Sequence, residues 1–203
     1  MKKYYYLFGS LLLLLLAWSL YTLKYTPVPW VDEVYFASVT QSFTGGGGLK
    51  LPIGLDEDVF HYGPVYFLFT SLSVLIGGFN LISIRIVGLI FTFVVGFILF
   101  HIYKIKGVNI KIAMCLVFLM LIDQLFVYCS HIGRMETLAL FFYLVAVYFY
   151  ENNKNCFSYK SIVIVSVSIL FAFLTTSRTA VIIIPLALAI LIRLFKSKQW
   201  GKL

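Results

Sequence analysis

Long apolar runs divide this chain from end to end, and they restrict its fold more than any other feature. Six of them, over residues 4–23, 82–103, 112–130, 137–150, 161–176 and 179–192, are near the length of a membrane crossing. A helix that spans ~30 Å of hydrocarbon needs about 20 mostly apolar residues. Soluble domains use about 25% charged residues to clothe their cores, whereas this sequence has 12% charged and 62% hydrophobic residues. Lipid must therefore solvate most of its surface. The expected fold is an all-α membrane bundle of about six transmembrane helices, with juxtamembrane helices in a long first outer loop and residues 1–203 forming one module. Aromatic residues at 18%, with 14 Tyr and 20 Phe, suit lipid-facing and interfacial surfaces.

A net charge of +8 does not signal nucleic acid. The sixteen Lys and Arg are scattered between apolar runs and build no basic face for a phosphate backbone. Their distribution instead sets topology. A seventh run, 64–79, holds about 16 residues, fewer than the roughly 20 required to cross, and carries Thr70, Ser71, Ser73 and the pair Gly77-Gly78. If it does not cross, Lys2, Lys3, Lys104, Lys106, Lys111, Lys154, Lys160, Arg193, Lys196, Lys198 and Lys202 all face the cytoplasm, as the positive-inside rule favours. Both termini are then cytoplasmic, in a multi-pass protein of the cell membrane. Asp32, Glu33, Asp56, Glu57, Asp58 and Glu136 lie outside, so a site built from carboxylates faces outward.

The first run follows Met1-Lys2-Lys3 and is longer than a usual signal core. Tyr21-Thr22-Leu23-Lys24 offers no small-residue cleavage site, so an uncleaved first span is expected. Cys115, Cys129 and Cys156 have no pairing or metal spacing.

The outer segment 24–81, roughly 58 residues, is of a length usually reserved for function or disorder. The glycines at 45–48 make a flexible joint within it. Before them, Tyr35, Phe36, Val39 and Phe43 recur at helical spacing, with Asp32 and Glu33 at the helix start. Two readings stand for this acidic pair: an N-terminal cap placed by the helix dipole, or catalytic carboxylates held at the membrane surface. Asp56-Glu57-Asp58 is a solvated acidic run or a metal-binding one. Asp123 is an ionisable group inside a span, read equally as functional or as a local cap. His101 and His131 lie near span ends without metal spacing.

Val31-Asp32-Glu33-Val34-Tyr35-Phe36-Ala37-Ser38 resembles the Asp-Glu signature in the first outer loop of GT-C class glycosyltransferases, among them protein O-mannosyltransferases and lipid A aminoarabinose transferases. His61-Tyr62-Gly63-Pro64-Val65-Tyr66-Phe67 resembles the His/Lys-Pro-Pro-Leu segment that opens a juxtamembrane helix there. Gly77-Gly78-Phe79 and Ser83-Ile84-Arg85-Ile86-Val87-Gly88 resemble the following glycine and the Arg-Leu-Pro-like start of the second span. Arg134-Met135-Glu136 matches the second acidic position. The order holds over about residues 1–195. The sequence departs from the pattern where Gly63 replaces the first proline, and where Tyr62 stands at a basic or His position with His61 one place off.

The resemblance implies transfer of a sugar from a polyprenyl-phosphate-linked donor to a lipid, glycan or protein acceptor on the outer side. A carboxylate must then accept the acceptor's proton, and cationic groups must meet the departing phosphate. By resemblance Asp32 is the base, Glu33 its neighbour, and Glu136 the second acid, orienting the acceptor or helping to hold a divalent metal if one is used. Lys50, His61, Tyr62, Arg85 and Arg134 are the substrate-binding candidates. Against these, Lys50 reads as a solvated loop lysine, and Arg85 and Arg134 as basic residues snorkelling to headgroups. The dipole alone would favour Glu136 at its helix start.

Two rival classes stay open. A transporter piece would show repeated or broken helices with midplane charges, and no internal repeat is visible. A non-catalytic subunit or a truncated product is the other, since family members are typically longer. A second subunit would then complete the fold.

Overall fold

The computed structural model describes residues 2–29, 31–51, 57–58, 63–153 and 158–196. Nearly all of these are helical. α1 covers Lys2–Thr22 and α2 Val31–Thr44, followed by a two-residue antiparallel ladder of β1 (Lys50–Leu51) and β2 (Glu57–Asp58). In that ladder Lys50 stands opposite Asp58 and Leu51 opposite Glu57. Then come α3 Pro64–Gly77, α4 Leu81–Ile105, α5 Ile110–Ile122, α6 Gln124–His131, α7 Glu136–Asn152, α8 Tyr159–Thr175, a 3-10 turn Ser177–Thr179 and α9 Ala180–Lys196. The expected all-α class is what the chain adopts.

Each of the six runs forms helix, but one is broken. The run at 112–130 is two helices, α5 and α6, bent by 59°. Asp123 is the cause, because its Oδ1 accepts the backbone N–H of Phe126 at 3.0 Å and so starts a new helix inside apolar sequence. This settles Asp123 as a cap. Among the described residues two helices, at Tyr5–Thr22 and Leu81–Ile105, are long and apolar enough to cross a membrane, and the bent pair would make a third if it is one span. The 17-residue helices α7, α8 and α9 rise only ~25 Å each. Helix α3 is shorter still, with 14 residues that rise ~21 Å.

Helix α7 is central and packs most extensively against α8 and α4, while α4 also meets α5, α3 and α6. Helix α1 lies largely on the outside, touching the bundle through Phe8, whose ring is 5.8 Å from Phe100 of α4. Association of helices in lipid gains little from the hydrophobic effect, so close packing and polar links must hold it. Glycines provide the close packing. A Cβ on Gly88 of α4 would sit 3.1 Å from the Ser130 carbonyl of α6. Hydroxyls provide the links: Thr40 and Thr70 meet at 3.0 Å, and Thr44 donates to Ser71 at 3.0 Å, zipping α2 to α3.

At the other end of the bundle, Lys106 after α4 pairs with Glu151 at the end of α7. Arg193 of α9 donates to the carbonyls of Tyr150 and Asn153 at 3.1 and 3.2 Å. The bundle therefore has two polar ends, one of them basic and tied across three helices.

Candidate functional site

The opposite polar end gathers the starts of α2, α4 and α7. Asp32 and Glu33 occupy the first turn of α2, and Glu136 the first turn of α7, where the partial positive charge of a helix N-terminus favours acids. Adjacent positions on a helix diverge by about 100°, so Asp32 and Glu33 point to different surroundings.

Glu33 turns inward and is 2% exposed. Arg85, wholly buried in the first turns of α4, grips it with a two-pronged contact, Nε to Oε1 at 2.6 Å and Nη2 to Oε2 at 2.8 Å. The backbone N–H of Gly133 also donates to Glu33 Oε1 at 2.9 Å. Arg85 spends its remaining reach on the carbonyls of Leu23 (2.8 Å) and Pro27 (3.0 Å). One ion pair thus joins the end of α1, the start of α2, the start of α4 and the loop before α7. Gly133 is needed there because a Cβ would fall 2.3 Å from Ile84 Cγ2.

Asp32 turns outward, its side chain about half exposed, toward Arg134. The Arg134 guanidinium lies between two carboxylates. Its Nη1 is 3.5 Å from Asp32 Oδ2, and its Nη2 and Nε donate to Glu136 Oε1 at 2.6 and 3.0 Å. Burial works against the Arg134 charge, but hydrogen bonds to Glu136 and the charges of Glu136 and Asp32 outweigh it and raise its pKa. The two outer-loop acids singled out in the sequence therefore share one cation on an accessible face.

Beneath them lies an apolar layer of Phe36 and Val39 from α2, Val65, Tyr66 and Phe67 from α3, and Met135 and Leu138 around the start of α7. This layer fixes the angle at which α2 and α7 present their acids. Gly63 starts α3 against α8, where a Cβ would collide with the Leu174 carbonyl at 1.6 Å. The glycine that replaces the first proline of the family pattern is thus demanded by packing. Beside Glu33, on the far side of α2, a cleft of about 430 Å3 lies between Val34, Ser38 and Gln41 and the α3–α4 turn at Phe79 and Asn80.

The structure brings together Asp32, Arg134 and Glu136 as one group, and Glu33 with Arg85 as another. Lys50 is in β1 of the two-residue ladder, and β1 packs against α2. His61 and Tyr62 lie outside the described residues, as does Asp56. Among the described residues no three His, Cys, Asp or Glu side chains converge as a metal site. The space between Asp32 and Glu136 is filled by Arg134, so this pair does not form a metal pocket as it stands. His131 bonds within its own helix, its Nδ1 2.9 Å from the Val127 carbonyl and 2.8 Å from Ser130 Oγ, and also to the backbone of Ser19 in α1. His101 packs edge-on against Phe97.

Sequence reasoning did not single out Gly133 or Tyr66. Nothing in the sequence signalled that Gly133 approaches a carboxylate. Tyr66 reads as one more aromatic of an apolar face, and only its buried hydroxyl distinguishes it.

A family model described as dolichyl-phosphate-mannose-protein mannosyltransferase matches residues 61–202. The match takes in α3 to α9, with Tyr66, Arg85, Arg134 and Glu136, and starts after Asp32 and Glu33. No curated protein and no solved structure gave a match.

Proposed function

The chain belongs to the dolichyl-phosphate-mannose-protein mannosyltransferase family, and on that premise we propose that it moves a sugar from a polyprenyl-phosphate donor to an acceptor hydroxyl on the outer face. It is a membrane glycosyltransferase of mannosyltransferase type by family. The family's description names mannose on dolichyl phosphate as donor and protein as acceptor. For this chain we take the broader donor class, a sugar on a polyprenyl phosphate. The topology we adopt has six crossings, both termini in the cytoplasm and α2, α3 and the acids outside.

One observation carries the reading: Arg134 links Asp32 and Glu136 on an accessible face at two helix N-termini. Sugar transfer needs a base for the acceptor and positive charge for the leaving phosphate, and this group has both within one guanidinium's reach. Asp32, the more exposed acid, takes the acceptor proton as the acceptor oxygen bonds to the anomeric carbon. The bond from that carbon to the phosphate oxygen breaks, and Arg134 meets the charge left on the polyprenyl phosphate. Glu136 orients Arg134 and the acceptor. Glu33 and Arg85 act as positioning residues, because their polar atoms are taken up by each other and by backbone. By resemblance alone, Lys50, His61 and Tyr62 are further candidates to bind the phosphate.

The test is transfer from labelled polyprenyl-phosphate sugars by membranes carrying the chain. The wild type transfers label, and Asp32→Asn at equal abundance loses it by at least ~100-fold. Equal transfer by both would remove Asp32 from the chemistry.

A further inference from the structure

Tyr66 is the largest buried side chain next to the acid group whose polar atom does nothing in this structure. Its ring is wholly buried, edge-on to Phe36 at 5.9 Å and to Phe67 at 5.4 Å. Buried tyrosine hydroxyls normally find a partner, yet this one has none among the described residues. An unmade hydrogen bond inside a packed layer persists at a cost in stability. Such a group is retained most readily where another state of the protein uses it.

Three charged groups lie within electrostatic reach of the phenol: Glu136, Glu33 and Arg134. Burial first, then the negative charges of Glu136 and Glu33, push its pKa well above the usual range against the smaller opposing pull of Arg134. The hydroxyl therefore keeps its proton and can only be a donor to an acid. Glu33 is already held by donors that stay in place, since Oε1 accepts from Arg85 Nε and the Gly133 N–H, and Oε2 from Nη2 of the wholly buried Arg85. Among the described residues Glu136 takes its donors from Arg134. Of the two arginines, Arg85 is wholly buried, whereas the Arg134 side chain is 22% exposed and holds Asp32 only at 3.5 Å. Arg134 is the one free to turn toward an arriving anion.

We propose that Tyr66 is a positioning residue which donates its hydroxyl hydrogen bond to Glu136 when a phosphate draws Arg134 away. This rests on the donor reading above. A phosphate competes well for a guanidinium through paired, charge-assisted hydrogen bonds. Without a replacement donor, Glu136 would be left partly buried and unpaired, and donor binding would weaken. Tyr66 supplies that replacement, so its idle hydroxyl in the ligand-free state and its use in the bound state are two halves of one exchange.

The experiment compares wild type, Tyr66→Phe, Glu136→Gln and the double variant of the full chain in lipid nanodiscs. Melting temperature is measured first, then binding of a polyprenyl monophosphate, with inorganic phosphate as a second probe. Tyr66→Phe melts at or slightly above wild type, because the lost hydroxyl had no partner in the free state. Its affinity for the polyprenyl monophosphate falls about 10- to 100-fold, as for loss of one hydrogen bond to a charged group. In the Glu136→Gln background the same substitution has little further effect. The same pattern with inorganic phosphate assigns the exchange to the phosphate alone, and its restriction to the lipid-linked form assigns it to a docked donor. Wild-type affinity in Tyr66→Phe, a clear loss of melting temperature, or an undiminished effect beside Glu136→Gln each overturns the proposal while leaving the donor reading in place. Failure of the wild type to bind polyprenyl monophosphate overturns both.

Discussion

Asp32 and Glu33 are neighbours in sequence with the same chemistry, and the fold sends them to opposite fates. Glu33, buried and doubly held by Arg85 and by the Gly133 N–H, belongs to the frame. Removing its charge leaves Arg85 buried without a counter-ion, which costs about 3–5 kcal/mol when one partner of a buried pair is lost. Glu33→Gln should therefore melt well below wild type, and exchanging both residues for apolar ones of similar volume should restore much of the loss. A double-mutant cycle on melting temperature checks this. Asp32→Asn should leave the melting temperature within a degree or two of wild type, since among the described residues its ion pair is to Arg134, long and partly exposed. Gly63→Ala puts a methyl group into the Leu174 carbonyl and should cost at least ~1–3 kcal/mol, read in the same melting assay. Adjacent carboxylates look alike in a sequence, and only the path of α4 past the start of α2 decides which of them Arg85 takes. For the same reason Arg85, a phosphate candidate by resemblance, is used here for the frame.

Among the elements, the helices were legible because apolar runs of this length have few other solutions. The break between α5 and α6 was not, because apolar residues flank Asp123 on both sides and its carboxylate reads as function or cap alike. Asp123→Ala should weaken the start of α6 by about 0.5–2 kcal/mol, seen as faster amide exchange over residues 124–131. The short helix α3 could be read as unable to cross, but its docking on α2 through hydroxyls could not, since Thr40, Thr44, Thr70 and Ser71 have no sequence spacing in common. Thr70→Val should loosen that junction by roughly 0.6–1.7 kcal/mol, the span measured for such bonds between membrane helices. Faster exchange in α2 and α3 together, with α7 unchanged, is the expected pattern. The pairing of Arg134 with Glu136 was close to legible, as two residues apart at a helix start. Its reach to Asp32 needed the third dimension.

At the scale of the whole molecule, two polar ends cap an apolar bundle. One joins Lys106 to Glu151 and seats Arg193 on the carbonyls of Tyr150 and Asn153; the other holds the acids with Arg85 and Arg134. Family membership comes from residues 61–202, and the two α2 acids that the proposed chemistry draws on lie before them, joined to the matched part by Arg85 and Arg134. The central claim is that this joint, at Asp32, Arg134 and Glu136, is where sugar transfer takes place. The most direct test measures transfer per folded molecule, with labelled polyprenyl-phosphate sugar, for wild type and Asp32→Asn reconstituted in the same vesicles. The account predicts two proteins that melt alike while Asp32→Asn transfers at least ~100-fold more slowly. Equal rates from equally folded protein would contradict it and leave Asp32 as nothing more than a helix cap.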